Sequence, residues 1–301
     1  MKVIVTTTIN PPTEALRKFA RLADWELLVV GDRKTPHATY DDLSCRYLHP
    51  DWQAETYPEL SAVIGWNSIQ RRNIGFLEAW RLGAEVIATV DDDNIPLPGW
   101  GDDVVVGREL AFDCYDAACG VFDPLSVTNH RELWHRGFPV QRLAERFDLS
   151  HVGKQRRRAL VQANLWQGDP DVDAVCRITL RPDVEFDVSG YYGSRQPAPF
   201  NSQNTILHRD AFPAYCVLPA IGRMDDIWAA YLFQHEHPNS VVFGPATVYQ
   251  ERNPHDLVTN LEAELRGYRD THRFVDSLGA PQAFLPAATS AFLDVYRDQF
   301  R

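Results

Sequence analysis

The chain has 301 residues, 45% of them hydrophobic and 24% charged, the composition of an ordinary soluble globular protein. Its formal charge of −11 disfavours nucleic acid as a partner, because polyphosphate backbones require an extended basic face. Cys45, Cys114, Cys119, Cys176 and Cys216 are an odd number, scattered and without a Cys-x-x-Cys pair, which argues against a disulfide framework and a structural zinc site and predicts reduced, largely buried thiols. No stretch reaches the roughly eighteen apolar residues of a membrane span, and the amino terminus begins a strand rather than a signal peptide. We therefore expect a cytoplasmic protein with no membrane partner.

Residues 3–8 form a β-branched run that leads through Asn10, Pro11, Pro12 and Thr13 into an apolar pattern of helical spacing over residues 15–22. A second buried run, residues 25–30, ends in Gly31 and Asp32 at the edge where open α/β sheets bind ligands. Residues 69–83 read as an amphipathic helix closed by Gly83, and they feed a third apolar run, residues 84–90. That run ends in Asp91, Asp92 and Asp93. Alternating strands and helices predict an α/β fold with a mainly parallel, doubly wound sheet flanked by helices.

The stretch from about 124 to 200 is rich in turn residues and contains a basic run, Lys154 to Arg158, that reads as a solvated helix face. Residues 227–233 continue an apolar helical pattern behind Asp225 and Asp226, and residues 240–250 read as strands. Helices over 257–275 and 287–300 complete a single domain, residues 1–301, with a helical C-terminal tail over 257–301.

Three constellations carry chemistry. Clustered carboxylates at a strand end suit a hard divalent cation, Mn²⁺ or Mg²⁺, although Asp, Asn94, Pro96 and Pro98 also favour a simple acidic turn. Asp225 and Asp226 stand at a helix start, where capping and the helix dipole favour carboxylates, or they contact sugar hydroxyls and act in proton transfer. Arg136 and Arg142 flank Gly137 and Pro139 in a loop, where guanidinium groups either lie on the surface or hold a diphosphate; Arg71, Arg72 and Asn73 have the same two readings. Thr7, Thr8 and Asp32 sit at strand ends suited to a nucleoside, and His255 is a surface residue or a metal ligand. No Gly-x-Ser-x-Gly, Walker A or well-placed Gly-x-Gly-x-x-Gly occurs, so flavin and NAD are not expected.

These segments, in this order, resemble the UDP-arabinopyranose mutases, or reversibly glycosylated polypeptides, and their STELLO relatives. The matching residues are Thr89 to Asp93, Arg136 to Pro139, Leu165 and Trp166 with Asp169 to Ala174, Asn204 with Arg209 and Asp210, Ile221 to Ala229, and Asn253 and Pro254 with Asn260 and Leu261. Residues 25–36 look closer to the STELLO branch. The resemblance implies a glycosyltransferase-A-like fold, with residues 1–123 as nucleotide-binding half and 124–256 as sugar-site half. It further implies a bacterial, flavin-independent, metal-dependent mutase that interconverts pyranose and furanose forms of a UDP- or GDP-linked hexose or pentose, the protein being a candidate homo-oligomer.

By the same resemblance, Asp91, Asp92 and Asp93 hold metal and ribose-diphosphate, Arg136 matches the arginine of reversible glycosylation, and Trp166, Asn204 and Arg223 join the substrate site. Arg142 stands one residue closer to Arg136 than the family's second arginine does, so its equivalence stays open. Where the family shows Tyr-His, this chain has Tyr249 and Gln250, leaving the histidine ligand absent or displaced to His255. Two further readings stay open on the same fold: a metal-dependent glycosyltransferase and a non-catalytic nucleotide-sugar-binding scaffold.

Overall fold

The computed structural model describes residues 1–251 and 256–301. Strand β1 (Lys2–Thr8) is followed by helix α1 (Glu14–Phe19), whose N-cap Thr13 accepts from Leu16 N, and by β2 (Glu26–Gly31). Then come β3 (Arg46–Leu48), α2 (Pro50–Thr56), α3 (Pro58–Ile64), α4 (Arg72–Arg81) and β4 (Val86–Thr89), which delivers the aspartate triplet. The middle holds β5 (Asn94–Pro96), β6 (Glu109–Ala117), β7 (Leu149–Arg158), β8 (Val161–Gly168), α5 (Ala174–Leu180), β9 (Tyr192–Ser194) and β10 (Thr205–His208). Helix α6 (Asp225–Glu236), β11 (Val241–Gln250), α7 (Leu257–Asp276) and α8 (Ala287–Asp298) close the fold.

The strands form one mixed sheet in the order β3-β2-β1-β4-β10-β8-β11-β9-β6-β7, with β5 paired to β11. Its first four strands are all parallel, as the alternating pattern predicts. Beyond them β10 runs antiparallel to both β4 and β8, and the rest is mixed: β11 with β8 and β6 with β9 are parallel, β11 with β9 and β6 with β7 antiparallel. Successive residues of a strand face opposite sides, and the core divides accordingly: Val3, Val5, Leu28 and Val30 pack on one face, Ile4, Leu27 and Val29 on the other.

Helix α6 lies inside the first of these faces. Ile227, Trp228, Ala230, Tyr231 and Phe233 are all fully buried, so the helix is apolar all round rather than amphipathic. Burying a side chain such as Ile227 or Phe233 stabilises the fold by roughly 1.5–3 kcal/mol. Trp228 stacks on Phe274 of α7 at 4.3 Å and donates its indole N–H to Thr271 Oγ1 at 3.0 Å. The buried helix thereby holds Asp225 and Asp226 rigidly at its first turn. Helix α4 is pressed as closely onto the parallel strands, since a methyl on Gly75 would lie 2.4 Å from Val5 Cγ1 and 2.8 Å from Val30 Cγ2.

One expected element is corrected. Lys154 to Arg158 lie on β7, at the edge of the sheet, rather than on a helix. Alternating exposure and charge suit an edge strand, because they discourage pairing with another chain. All five cysteines are free, and Cys114, Cys176 and Cys216 are buried as expected. Among the described residues, no helix is long and apolar enough to cross a membrane.

Candidate active site

The aspartate triplet begins where β4 ends, beside β1 and at the carboxyl edge of the parallel strands. Arg72 binds Asp91 Oδ1 at 2.6 Å from the start of α4, and the same guanidinium donates to the Ser202 carbonyl at 2.7 Å and hydroxyl at 2.9 Å. Asp92 faces the other way: its Oδ2 accepts from Thr8 Oγ1 at 2.5 Å and Asn10 Nδ2 at 2.9 Å, and its carbonyl accepts from Thr13 Oγ1 at 2.5 Å. The turn that Asp, Asn and Pro favour is also present, with Asn94 Oδ1 accepting from Asp91 N at 3.0 Å. Turn and ligand-bearing strand end are one structure.

The triplet divides two cavities. One, of about 430 Å³, is lined by Asp91, Asp93, Arg136, Ser202, Arg223, Asp225, Asp226, Gln250 and Gln70. The other, about 250 Å³, is lined by Thr7, Thr8, Asn10, Asp32, Ser68, Arg71 and Asp92. Ile69 borders both. Beside the smaller cavity, Trp66 lies between two guanidinium groups, Arg71 at 3.8 Å and Arg33 at 4.5 Å from its ring centre. Asp32 is committed to the backbone there, accepting from Arg33 N at 2.7 Å and Ser68 N at 3.0 Å.

Ser202 joins the triplet to the second acidic pair. While its carbonyl and hydroxyl serve Arg72, its backbone N–H donates to Asp226 Oδ2 at 2.9 Å. Asp226 is in turn gripped by Arg136, at 3.0 and 3.2 Å, and Arg136 reaches Asp171 through Nε at 2.9 and 3.1 Å. Arg136 also donates to the Arg223 carbonyl. Burial works against its charge, yet Asp171 and Asp226 hold the guanidinium well above its usual range. Arg136 is thus the buried counter-ion of two carboxylates, rather than a free loop arginine waiting for a diphosphate.

The neighbouring Asp225 forms no ion pair among the described residues. Its Oδ2 accepts from Gln70 Nε2 at 2.7 Å and its Oδ1 from Asp226 N at 3.0 Å. Burial first, and the adjacent Asp226 charge second, push its carboxyl up to about 7. A cleft carboxyl that ionises near neutrality can accept or release a proton in catalysis. The Arg136 loop is positioned by Gly137, whose φ is +82° and where a methyl would come 2.2 Å from Ile227 Cγ2 on α6. Only glycine satisfies both conditions, and Tyr231 of α6 donates to the Gly137 carbonyl at 3.0 Å.

Other expected site residues are placed elsewhere. Arg142 pairs with Asp276 at 2.7 Å and donates to the Cys119 carbonyl at 3.0 Å; Asp276 borders a separate cavity of about 400 Å³, with Gly120 and Arg195. It does not line the triplet cleft, because the loop carrying it turns toward α7. Asn73 exchanges hydrogen bonds with the Val217 backbone at 2.7 and 2.8 Å, and Asn204 binds the Leu165 carbonyl, Thr247 and Trp100, so both brace the fold. Trp166 is buried against His135, their ring centres 5.6 Å apart. Arg223 does line the cleft, tethered to Glu264 at 2.8 Å. The acidic string around Asp171 is largely structural: Asp169 pairs with Arg177, and Asp173 caps α5 by accepting from Cys176 N at 2.8 Å. His255 lies outside the described residues.

Sequence reasoning missed Ser202 and Gln70, for which polar loop composition offers no signal. Gln250 was visible only as a departure from Tyr-His. Its side chain lines the cleft with Asp91 and Asp93, yet its Oε1 is buried with no hydrogen-bond partner among the described residues. Among the described residues no group of three or more His, Cys, Asp or Glu is arranged to hold a metal. The cleft donors are nonetheless all oxygens, and Mg²⁺-like cations commonly take one or two carboxylates together with substrate phosphates. The orphaned oxygen and this donor chemistry fit a hard divalent cation.

No family model matches the chain. It is similar to two Arabidopsis thaliana proteins: "Probable glycosyltransferase STELLO2", at 26% identity over 92% of this chain, and "Probable glycosyltransferase STELLO1", at 28% over 70%. The chain spans 41% and 30% of the length of these relatives. Among solved structures it is similar to glucosyl-3-phosphoglycerate synthase from Mycobacterium tuberculosis in complex with Mn²⁺, UDP and phosphoglyceric acid. That likeness has 12% identity and a TM-score of 0.47, covering 95% of this chain and 79% of the other. The sequence similarity found is to the STELLO side of the resemblance, and to proteins described as glycosyltransferases.

Proposed function

We propose that the protein is a divalent-metal-dependent glycosyltransferase that takes a sugar from a nucleoside diphosphate and passes it to an acceptor hydroxyl. The observation that carries this reading is the continuous link from Asp91 through Arg72 and Ser202 to Asp226, which sets a strand-end carboxylate pair and a proton-active carboxyl, Asp225, on one cleft. Similarity to the probable glycosyltransferases supports it.

In this reading Thr7, Thr8 and the Trp66 side of the smaller cavity take the nucleoside, and the sugar occupies the larger cavity beside Arg223. Asp91 and Asp93 would hold the cation, which when bound would neutralise charge on the diphosphate oxygens. Arg72 orients Asp91, and the hydroxyl of Thr8 orients Asp92. Asp225, ionised above about 7, accepts the proton of the attacking hydroxyl, while Gln70 and the Asp226 N–H fix its orientation.

Ring isomerisation is the weaker reading, because it asks Arg136 and Arg142 to hold the diphosphate. Arg136 is already committed to Asp171 and Asp226, and Arg142 to Asp276. The test is incubation with Mn²⁺, a panel of UDP- and GDP-sugars and candidate acceptors. Nucleoside diphosphate release that depends on acceptor is the expected result. A pyranose–furanose isomer formed without release would establish the mutase instead, and binding without turnover the scaffold.

A further inference from the structure

Strand β11 ends at Gln250, and its partner strand β5 begins at Asn94, directly behind the triplet; the two residues face each other in the antiparallel register. The junction is tied a second time, by Glu251 N donating to the Asp93 carbonyl at 3.2 Å. Gln250 is 2% exposed, and its side-chain amide oxygen Oε1 is buried without a donor among the described residues. A buried amide oxygen left unsatisfied is destabilising unless something else meets it. Its backbone is held on both sides, paired with Asn94 of β5 and with Gly168 of β8, and the backbone carbonyl of Gln250 accepts from Asp169 N at 3.3 Å.

We infer that Gln250 Oε1 is a ligand of the divalent cation, completing with Asp91 and Asp93 an all-oxygen donor set at the junction of β5 and β11. This rests on the nucleotide-sugar reading above, which supplies the phosphates that fill the remaining positions. The chemistry is specific to an amide at this position. A neutral, hard oxygen adds coordination without a further charge beside carboxylates, and it favours Mg²⁺ and Mn²⁺ over the softer ions that imidazole attracts.

The test is Mn²⁺ binding to the full chain by electron paramagnetic resonance, with UDP and with GDP, in wild type, Gln250→Leu, Gln250→Glu, Gln250→His and Asp93→Asn. Gln250→Leu is expected to weaken binding by at least about tenfold, since even outer-shell substitutions cost about 10–100-fold in metal affinity. Gln250→Glu, which keeps an oxygen donor, should restore it. Gln250→His should introduce a nitrogen hyperfine coupling on bound Mn²⁺, a signal that a merely structural glutamine would never produce and that survives even if the leucine variant folds poorly. Unchanged affinity in Gln250→Leu, or no nitrogen coupling in Gln250→His, would overturn the inference while leaving the Asp93 effect and the functional reading intact. Failure of the wild type to bind Mn²⁺ with either nucleotide would overturn both.

Discussion

Replacing Arg136 with Met removes one guanidinium that serves two carboxylates, and the structure sets the size of the effect. Asp171 is 0%, Asp226 4% and Arg136 5% exposed, so solvent cannot take over the lost interactions. Removing one partner of a buried ion pair costs about 3–5 kcal/mol, and Arg136 has two, so about 5 kcal/mol is expected. That is a large share of the roughly 5–15 kcal/mol that stabilises a typical protein. Urea unfolding measures the loss, and Arg136→Lys, which keeps charge but loses the fork, should fall between. A loss below about 1 kcal/mol would refute the assignment of Arg136 as a buried counter-ion.

Turnover should rise with pH through about 7 as Asp225 ionises, and Asp225→Asn should abolish both the activity and that limb of the profile. The raised Asp225 carboxyl also makes the folded state lose stability as pH climbs from about 4 toward 7, so the Asn variant, though inactive, should be at least as stable at pH 8 by urea titration. Arg142→Ala should leave nucleotide-sugar turnover unchanged and cost no more than about 1 kcal/mol, because its partner Asp276 is 62% exposed; a severe kinetic loss would return Arg142 to the site. Gly137→Ala should destabilise by at least about 2 kcal/mol in thermal or urea unfolding, from the positive φ and the overlap with Ile227 together, and an unperturbed variant would contradict the packing of that loop.

Strands β1, β2 and β4 and helices α4, α6, α7 and α8 could be read from the chain because burial imposes a local period on their residues. The same holds for the aspartate triplet at its strand end and for Asp225 and Asp226 at their helix start. Strand β7 could not be read so, since its alternating exposed charges resemble a solvated helix face, and only pairing with β6 makes it an edge strand. The roles of the arginines were equally beyond local pattern. Arg136 has the composition of a phosphate-binding loop arginine, yet its partners lie 35 and 90 residues away. Gln70 meets Asp225 across 155 residues, and Ser202 bridges two motifs that no spacing rule connects. Residue type and period report what a segment can do, because they reflect its own backbone and its own burial. Which carboxylate is neutralised, which keeps its proton and which amide oxygen is left without a donor depend on contacts between distant segments, and only the folded chain brings those together.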